Sequence, residues 1–239
     1  MAMVFGALAD DYTGGLDLAS LLAARGMACA FLTGLHGEDD AVTTPAVVIG
    51  LRTRVAPAEQ AVLTSRSALD RLRRLGARRI FFKVCATFDS TPRGNIGPVG
   101  AMLLEETGAP FVAYCPSAPD LGRTVVNGHL FAGRQLISDS PKRFDPLTPM
   151  TDPDLVRFLS LQTGVETGWV GSPAIKDSEA LRAAIAEEAA AGRRHIILDA
   201  ATNEDLAVIA EATRDAPLMA GNATIAGHWP ALWARSGEM

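Results

Sequence analysis

Short apolar segments alternate with amphipathic stretches along most of this 239-residue chain, and no other feature restricts its fold as strongly. Segments 4–8, 28–32, 46–51, 79–84, 110–114, 165–170, 195–198 and 217–219 read as strands. One helical pattern opens at Leu16, with Leu18, Leu21 and Leu22 on one face and Gly26 as its stop. A second starts at Pro57, aligns Ala61, Val62, Ala68, Leu69, Leu72 and Leu75, and ends at Gly76. Further helical patterns cover 98–107, 177–191 and 204–212, and another carries Leu155, Phe158 and Leu159 behind Thr151 or Asp152 as N-cap.

Apolar strands joined through helices imply a parallel sheet covered on both faces. The predicted class is α/β: three layers around a mainly parallel, doubly wound sheet. Residues 33–44 read as a loop. Around 115–150 the alternation breaks, and extended pieces at 124–126, 129–131 and 135–137 predict a β-hairpin or loop insertion. Residues 1–239 form one substrate-binding domain on this reading, with sub-lobes 1–115 and 150–239 as a weaker division, and Trp229 and Trp233 docking the tail.

Composition removes several classes of function. Twenty-two Lys and Arg against 27 Asp and Glu give a net charge of −5, and the Arg71–Arg74 cluster sits on a helix face, so nucleic acid is not an expected partner. Cys29, Cys85 and Cys115 are odd in number and widely spaced, which speaks against a disulfide framework or a zinc site and for a cytoplasmic setting. No apolar run is long enough for a membrane span, and no leader pattern opens the chain.

Chemistry-bearing residues cluster where strands end. Asp10, Asp11 and Thr13 follow the first strand, Arg52, Thr53 and Arg54 the third, and Asp199 a late one. Lys83 closes the fourth and leads into a hydroxyl-rich loop with Thr87, Asp89, Ser90 and Asn95. In a parallel sheet these all emerge along one edge, where open α/β folds bind ligands. Carboxylates, cations and hydroxyls together suit a small polyhydroxylated anion. Each residue type also has a structural use, such as capping or turn formation. Alternation leaves open whether Arg52 or Arg54 faces the crevice. His36, His129, His195 and His228 lack partners at triad or metal spacing and read as structural. Neither nucleotide-binding glycine fingerprint occurs.

The segments ADDYTGGLD, KVCATFDSTPRGNIGPV, GRTVVNGHLF, PLTPMTD and ILDAATNEDL, in this order over about residues 3–226, resemble the four-carbon acid sugar kinase family. The resemblance implies an N-terminal sugar-acid domain of an enzyme that phosphorylates threonate- or erythronate-like acids with ATP and Mg2+. It matches Asp10 and Asp11 to the family's acidic turn, Arg54 to an arginine after the third strand, and Lys83, Thr87, Asp89 and Ser90 to its substrate loop. By implication Asp10 or Asp11 accepts the hydroxyl proton, while Lys83 and Arg54 hold the carboxylate.

Three segments depart from the family pattern. Ala86 stands where a serine is usual, Phe144-Asp145-Pro146 replaces an Arg-His-Pro-like run, and Gly221-Asn222-Ala223-Thr224 replaces a Gly-Ser-Ala-Gly-like one. Nothing in the chain resembles an ATP site, so the expectation is that the family's ATP-binding C-terminal domain is absent and comes from another polypeptide or from a longer chain. Homo-oligomerisation is a further expectation. The alternative is a stand-alone, non-catalytic sugar-acid-binding or regulatory protein. A metal-dependent phosphatase is weaker, because Asp10-Asp11-Tyr12-Thr13 lacks the Asp-x-Asp-x-Thr spacing.

Overall fold

The computed structural model describes residues 3–36 and 42–238, so part of the expected 33–44 loop lies outside the described residues. In chain order the elements are β1 (Phe5–Ala9), α1 (Tyr12–Ala24), β2 (Cys29–Thr33), β3 (Ala46–Gly50), α2 (Ala58–Arg74), β4 (Arg79–Lys83), α3 (Ile96–Thr107) and β5 (Val112–Cys115). The insertion holds β6 (Arg123–Val126), β7 (His129–Ala132) and β8 (Gln135–Leu136). The alternation resumes with α4 (Leu155–Thr163), β9 (Gly168–Val170), α5 (Ser178–Ala190), β10 (His195–Leu198), α6 (Asn203–Thr213) and β11 (Leu218–Gly221). Two short helices follow, α7 (Ala223–Ala226) and α8 (Trp229–Arg235).

Eight parallel strands form one sheet in the order β2-β3-β1-β4-β11-β5-β10-β9. The expected class is the observed one, including the insertion, where β6, β7 and β8 make a small antiparallel sheet. Strand alternation divides the core. Phe5, Ala7, Ala9 and Phe81 pack with α1, α5, α6, α7 and α8, whereas Leu8, Ile80 and Phe82 pack with α2, α3 and α4. Trp229 and Trp233 stack at 5.7 Å between centroids and close over Phe5 and Phe81. Burying side chains of this size stabilises the fold by about 2–3 kcal/mol each.

Two helix starts differ from expectation. Asp154, not Thr151 or Asp152, caps α4 by accepting Arg157 N–H, and Asp152 instead binds the Arg157 guanidinium. The other, at α1, shapes the site. Because α1 covers one face while α2 and α3 cover the other, the chain changes sides between β1 and its neighbours β3 and β4. In doubly wound sheets such a switch opens a crevice at the carboxyl ends of the strands.

Candidate functional site

β1 ends at Ala9 and hands over to two aspartates with different environments. Asp11 has extended backbone and caps α1, its Oδ1 accepting Gly14 N–H at 2.9 Å. The helix therefore starts at Tyr12, earlier than Leu16, since the cap satisfies a first-turn amide and the early turn can hold both glycines. Gly14 and Gly15 serve close packing rather than a turn. A methyl on Gly14 would run into Lys83 Nζ and Asp11 Oδ1, and one on Gly15 into Phe31 and Ala9.

Asp10 is 2% exposed and both its oxygens are taken by Arg54, Nε to Oδ2 at 2.9 Å and Nη2 to Oδ1 at 2.7 Å. Arg54 Nη2 also reaches Asp11 Oδ1 at 2.7 Å. The backbone reinforces this union, because Thr53 and Arg54 N–H both donate to Asp10 O. Burial pushes the Asp10 carboxyl above its usual value, against the pull of Arg54 and Lys83. Burial also opposes the Arg54 charge, but bonding to Asp10 outweighs it and keeps the guanidinium firmly protonated. Arg52 is exposed, so Arg54 is the arginine that enters the cluster.

Two atoms of this network stay free among the described residues: Arg54 Nη1 and Asp11 Oδ2. Arg54 lines a cleft of about 330 Å³ with Ser90, Arg93, Asn95 and Thr148. Asn95 is buried and its Nδ2 donates to Thr53 O at 2.6 Å and Ala56 O at 2.9 Å, which braces the turn carrying Arg54. Thr13 is exposed on the first turn of α1.

Lys83 lies opposite Ala9 in the β1–β4 register and is 2% exposed. It makes no hydrogen bond or ion pair within 4 Å among the described residues, although its charge acts on Asp10. Beyond it Phe88 adopts φ +52°, a conformation that costs a non-glycine residue about 1–3 kcal/mol. Packing offsets that cost, since the buried ring meets Tyr114 and Phe158 edge-on at 6.5 and 6.2 Å. The kink sets Thr87 and Asp89 side by side, with the Thr87 hydroxyl donating to Asp89 Oδ1.

Two residues that sequence reasoning missed hold this loop. Lys142, from the insertion, places Nζ 2.9 Å from Asp89 Oδ1 and 2.7 Å from Asp145 Oδ2. Its bonding keeps the Asp145 carboxyl well below the usual range, helped by the Thr148 and Leu147 amides. Gln162 of α4 donates to Ser90 Oγ and Thr91 O and accepts Gly97 N–H. Neither has a spacing that links it to the loop. A second cavity, about 420 Å³, opens on the Thr87 side between Arg123, Gln135, Ser140 and Lys142.

Asp199 belongs to the scaffold of the insertion. It accepts Asn127 N–H at 2.7 Å, Gly128 N–H at 2.9 Å and Trp169 Nε1–H at 2.9 Å, clamping the β6–β7 turn to the end of β10. His195 is likewise internal, sharing a 2.9 Å hydrogen bond with the Tyr114 hydroxyl.

The sequence profile of the sugar-binding N-terminal domain matches residues 5–229. The chain belongs to this domain of the four-carbon acid sugar kinase family. A 3-oxo-tetronate kinase from Burkholderia multivorans is 41% identical over 237 residues, which are 99% of this chain and 55% of that protein. Another from Pseudomonas savastanoi pv. phaseolicola is 41% identical over 99% of this chain and 56% of its own length. Among solved structures, Haemophilus influenzae protein HI1011 superposes with a TM-score of 0.93 at 36% identity, over 98% of this chain and 57% of that one. The chain thus spans about half the length of the relatives it matches.

Kinases of this family use ATP and Mg2+, and the residues of this domain do not fit either group alone. Asp10 gives both oxygens to Arg54, and no three His, Cys, Asp or Glu converge among the described residues. None of the strand-to-helix turns carries a phosphate-loop fingerprint. No helix among the described residues is long and apolar enough to cross a membrane.

Proposed function

We propose that this chain is the acceptor half of an ATP-dependent sugar-acid kinase, binding a four-carbon sugar acid of the threonate, erythronate or 3-oxo-tetronate type. The observation that carries the reading is the union of Arg54 with Asp10 and Asp11 at the crossing point of the sheet. Arg54, with Arg93 in the same cleft, suits the carboxylate, and Ser90 and Thr148 there suit hydroxyls, with Asp89 next to Ser90 in the chain. Asp11 keeps Oδ2 free and is the proton acceptor on this reading. Asp10, fully engaged, positions Arg54, and Asn95 acts through the same turn. ATP and Mg2+ come from a second domain, in keeping with the longer relatives. Holding the hydroxyl and its proton acceptor in place is most of what phosphoryl transfer asks of this half.

Calorimetry with the three acids tests the proposal. We expect binding to the isolated chain, loss of binding in Arg54→Gln, and phosphorylation once the ATP-binding half of a relative is added. No binding of any of the acids, or binding indifferent to Arg54→Gln, sinks it. Turnover of ATP by this chain alone would remove the need for a second domain.

A further inference from the structure

We propose that Lys83 and the amino end of α1 form the seat of the transferred phosphoryl group, distinct from the seat of the acceptor's carboxylate. The inference rests on the kinase reading above. Lys83 is 2% exposed, yet its ammonium has no hydrogen-bonding or ion-pair partner within 4 Å among the described residues. Gly14, within the first turn of α1, is the residue it lies against.

Asp10 and Asp11 share this end of α1 and offset part of the Lys83 charge, but neither carboxylate lies within 4 Å of the ammonium, so an anion seated there gains a direct partner. The first-turn amides of Tyr12 and Thr13 have no acceptor among the described residues, while those of Gly14 and Gly15 are satisfied by Asp11. Two free N–H groups and an ammonium make a compact donor set for a tetrahedral, doubly charged group. Gly14 is what admits the lysine there, since a methyl would displace it. A planar carboxylate is better served by the guanidinium of Arg54, which lines the neighbouring cleft and keeps Nη1 unbonded.

With a nucleotide presented by the second domain, Lys83 and the α1 amides would bear the charge on the phosphoryl oxygens, and Asp11 Oδ2 would take the acceptor's hydroxyl proton.

The test uses the isolated chain with inorganic phosphate and threonate as probes, followed by 31P NMR and calorimetry. Phosphate is expected to bind with threonate already saturating. Lys83→Met is expected to weaken phosphate about tenfold or more while moving the threonate Kd less than about threefold. Gly14→Ala keeps the charge but pushes the ammonium aside, and it should weaken phosphate similarly. Competition between phosphate and threonate for one site overturns the proposal, as does an equal loss of both ligands in Lys83→Met, or absence of phosphate binding to the unaltered chain. Phosphate binding that depends on Lys83, in a chain that binds no sugar acid, would leave the seat standing and defeat the acceptor reading instead.

Discussion

Lys142 and Asp89 meet across the mouth of the site, Nζ 2.9 Å from Oδ1, so the insertion is fastened to the loop that follows β4. Asp145 holds the same ammonium from the other side at 2.7 Å. Replacing Lys142 by Met leaves two carboxylates without their shared cation and lets the loop relax. Threonate affinity should fall about 5- to 30-fold, equivalent to about 1–2 kcal/mol. Calorimetry against unchanged far-UV circular dichroism checks this.

Asn95 tests a different link, because its amide holds the turn and not the ligand. Asn95→Ala leaves the carbonyls of Thr53 and Ala56 without their donor. The loss should be about 2–3 kcal/mol, a fall of roughly 4–12 °C in Tm for a chain of this size. Asn95→Asp should be no better, since a carboxylate would face those carbonyls. A melting temperature within a degree of the parent would show that the turn is held by other means.

His195 gives the fold an acid sensitivity. Burial lowers it from the ordinary 6.5 to about 4, with Arg194 adding a smaller push. The unfolded chain therefore takes up the proton first, and stability is lost as pH falls from 6.5 towards 4. The contribution is on the order of 3 kcal/mol. Urea titrations from pH 4 to 7 should show a slope that flattens in His195→Gln.

Asp199 predicts a local effect. Asp199→Ala frees the amides of Asn127 and Gly128 and the Trp169 indole together. Hydrogen exchange at those two amides should accelerate by about one to two orders of magnitude, and Trp169 fluorescence should change, while the β1 and β4 amides stay protected. Uniform acceleration through the sheet would mean that the clamp supports the whole fold.

How much of this was legible follows from the range of each interaction. Asp10, Asp11, Lys83 and Arg54 could be placed on one edge because strand ends in a parallel sheet share a side, and strands declare themselves by apolar runs. The choice between Arg52 and Arg54 needed the turn itself, in which the Arg54 amide bonds to Asp10 O. The start of α1 was misjudged because glycines suggest a turn, whereas here they make room for Lys83 and Phe31. Lys142 and Gln162 left no mark in the sequence, since each meets the loop through tertiary contact alone.

β11 lies between β4 and β5, although it is the last strand of the chain. On the ribosome, the two blocks of sheet that it joins emerge earlier and must wait with a gap one strand wide. Their facing edges offer unpaired backbone until Leu218–Gly221 arrives. That interval exposes the nascent chain to chaperones and to mispairing with its neighbours. Closure also comes late and over long sequence separation, which makes for slow folding. The strands that carry the crevice, β3, β1 and β4, are complete before that segment arrives, so the site can take shape on a sheet still open at its β4 edge.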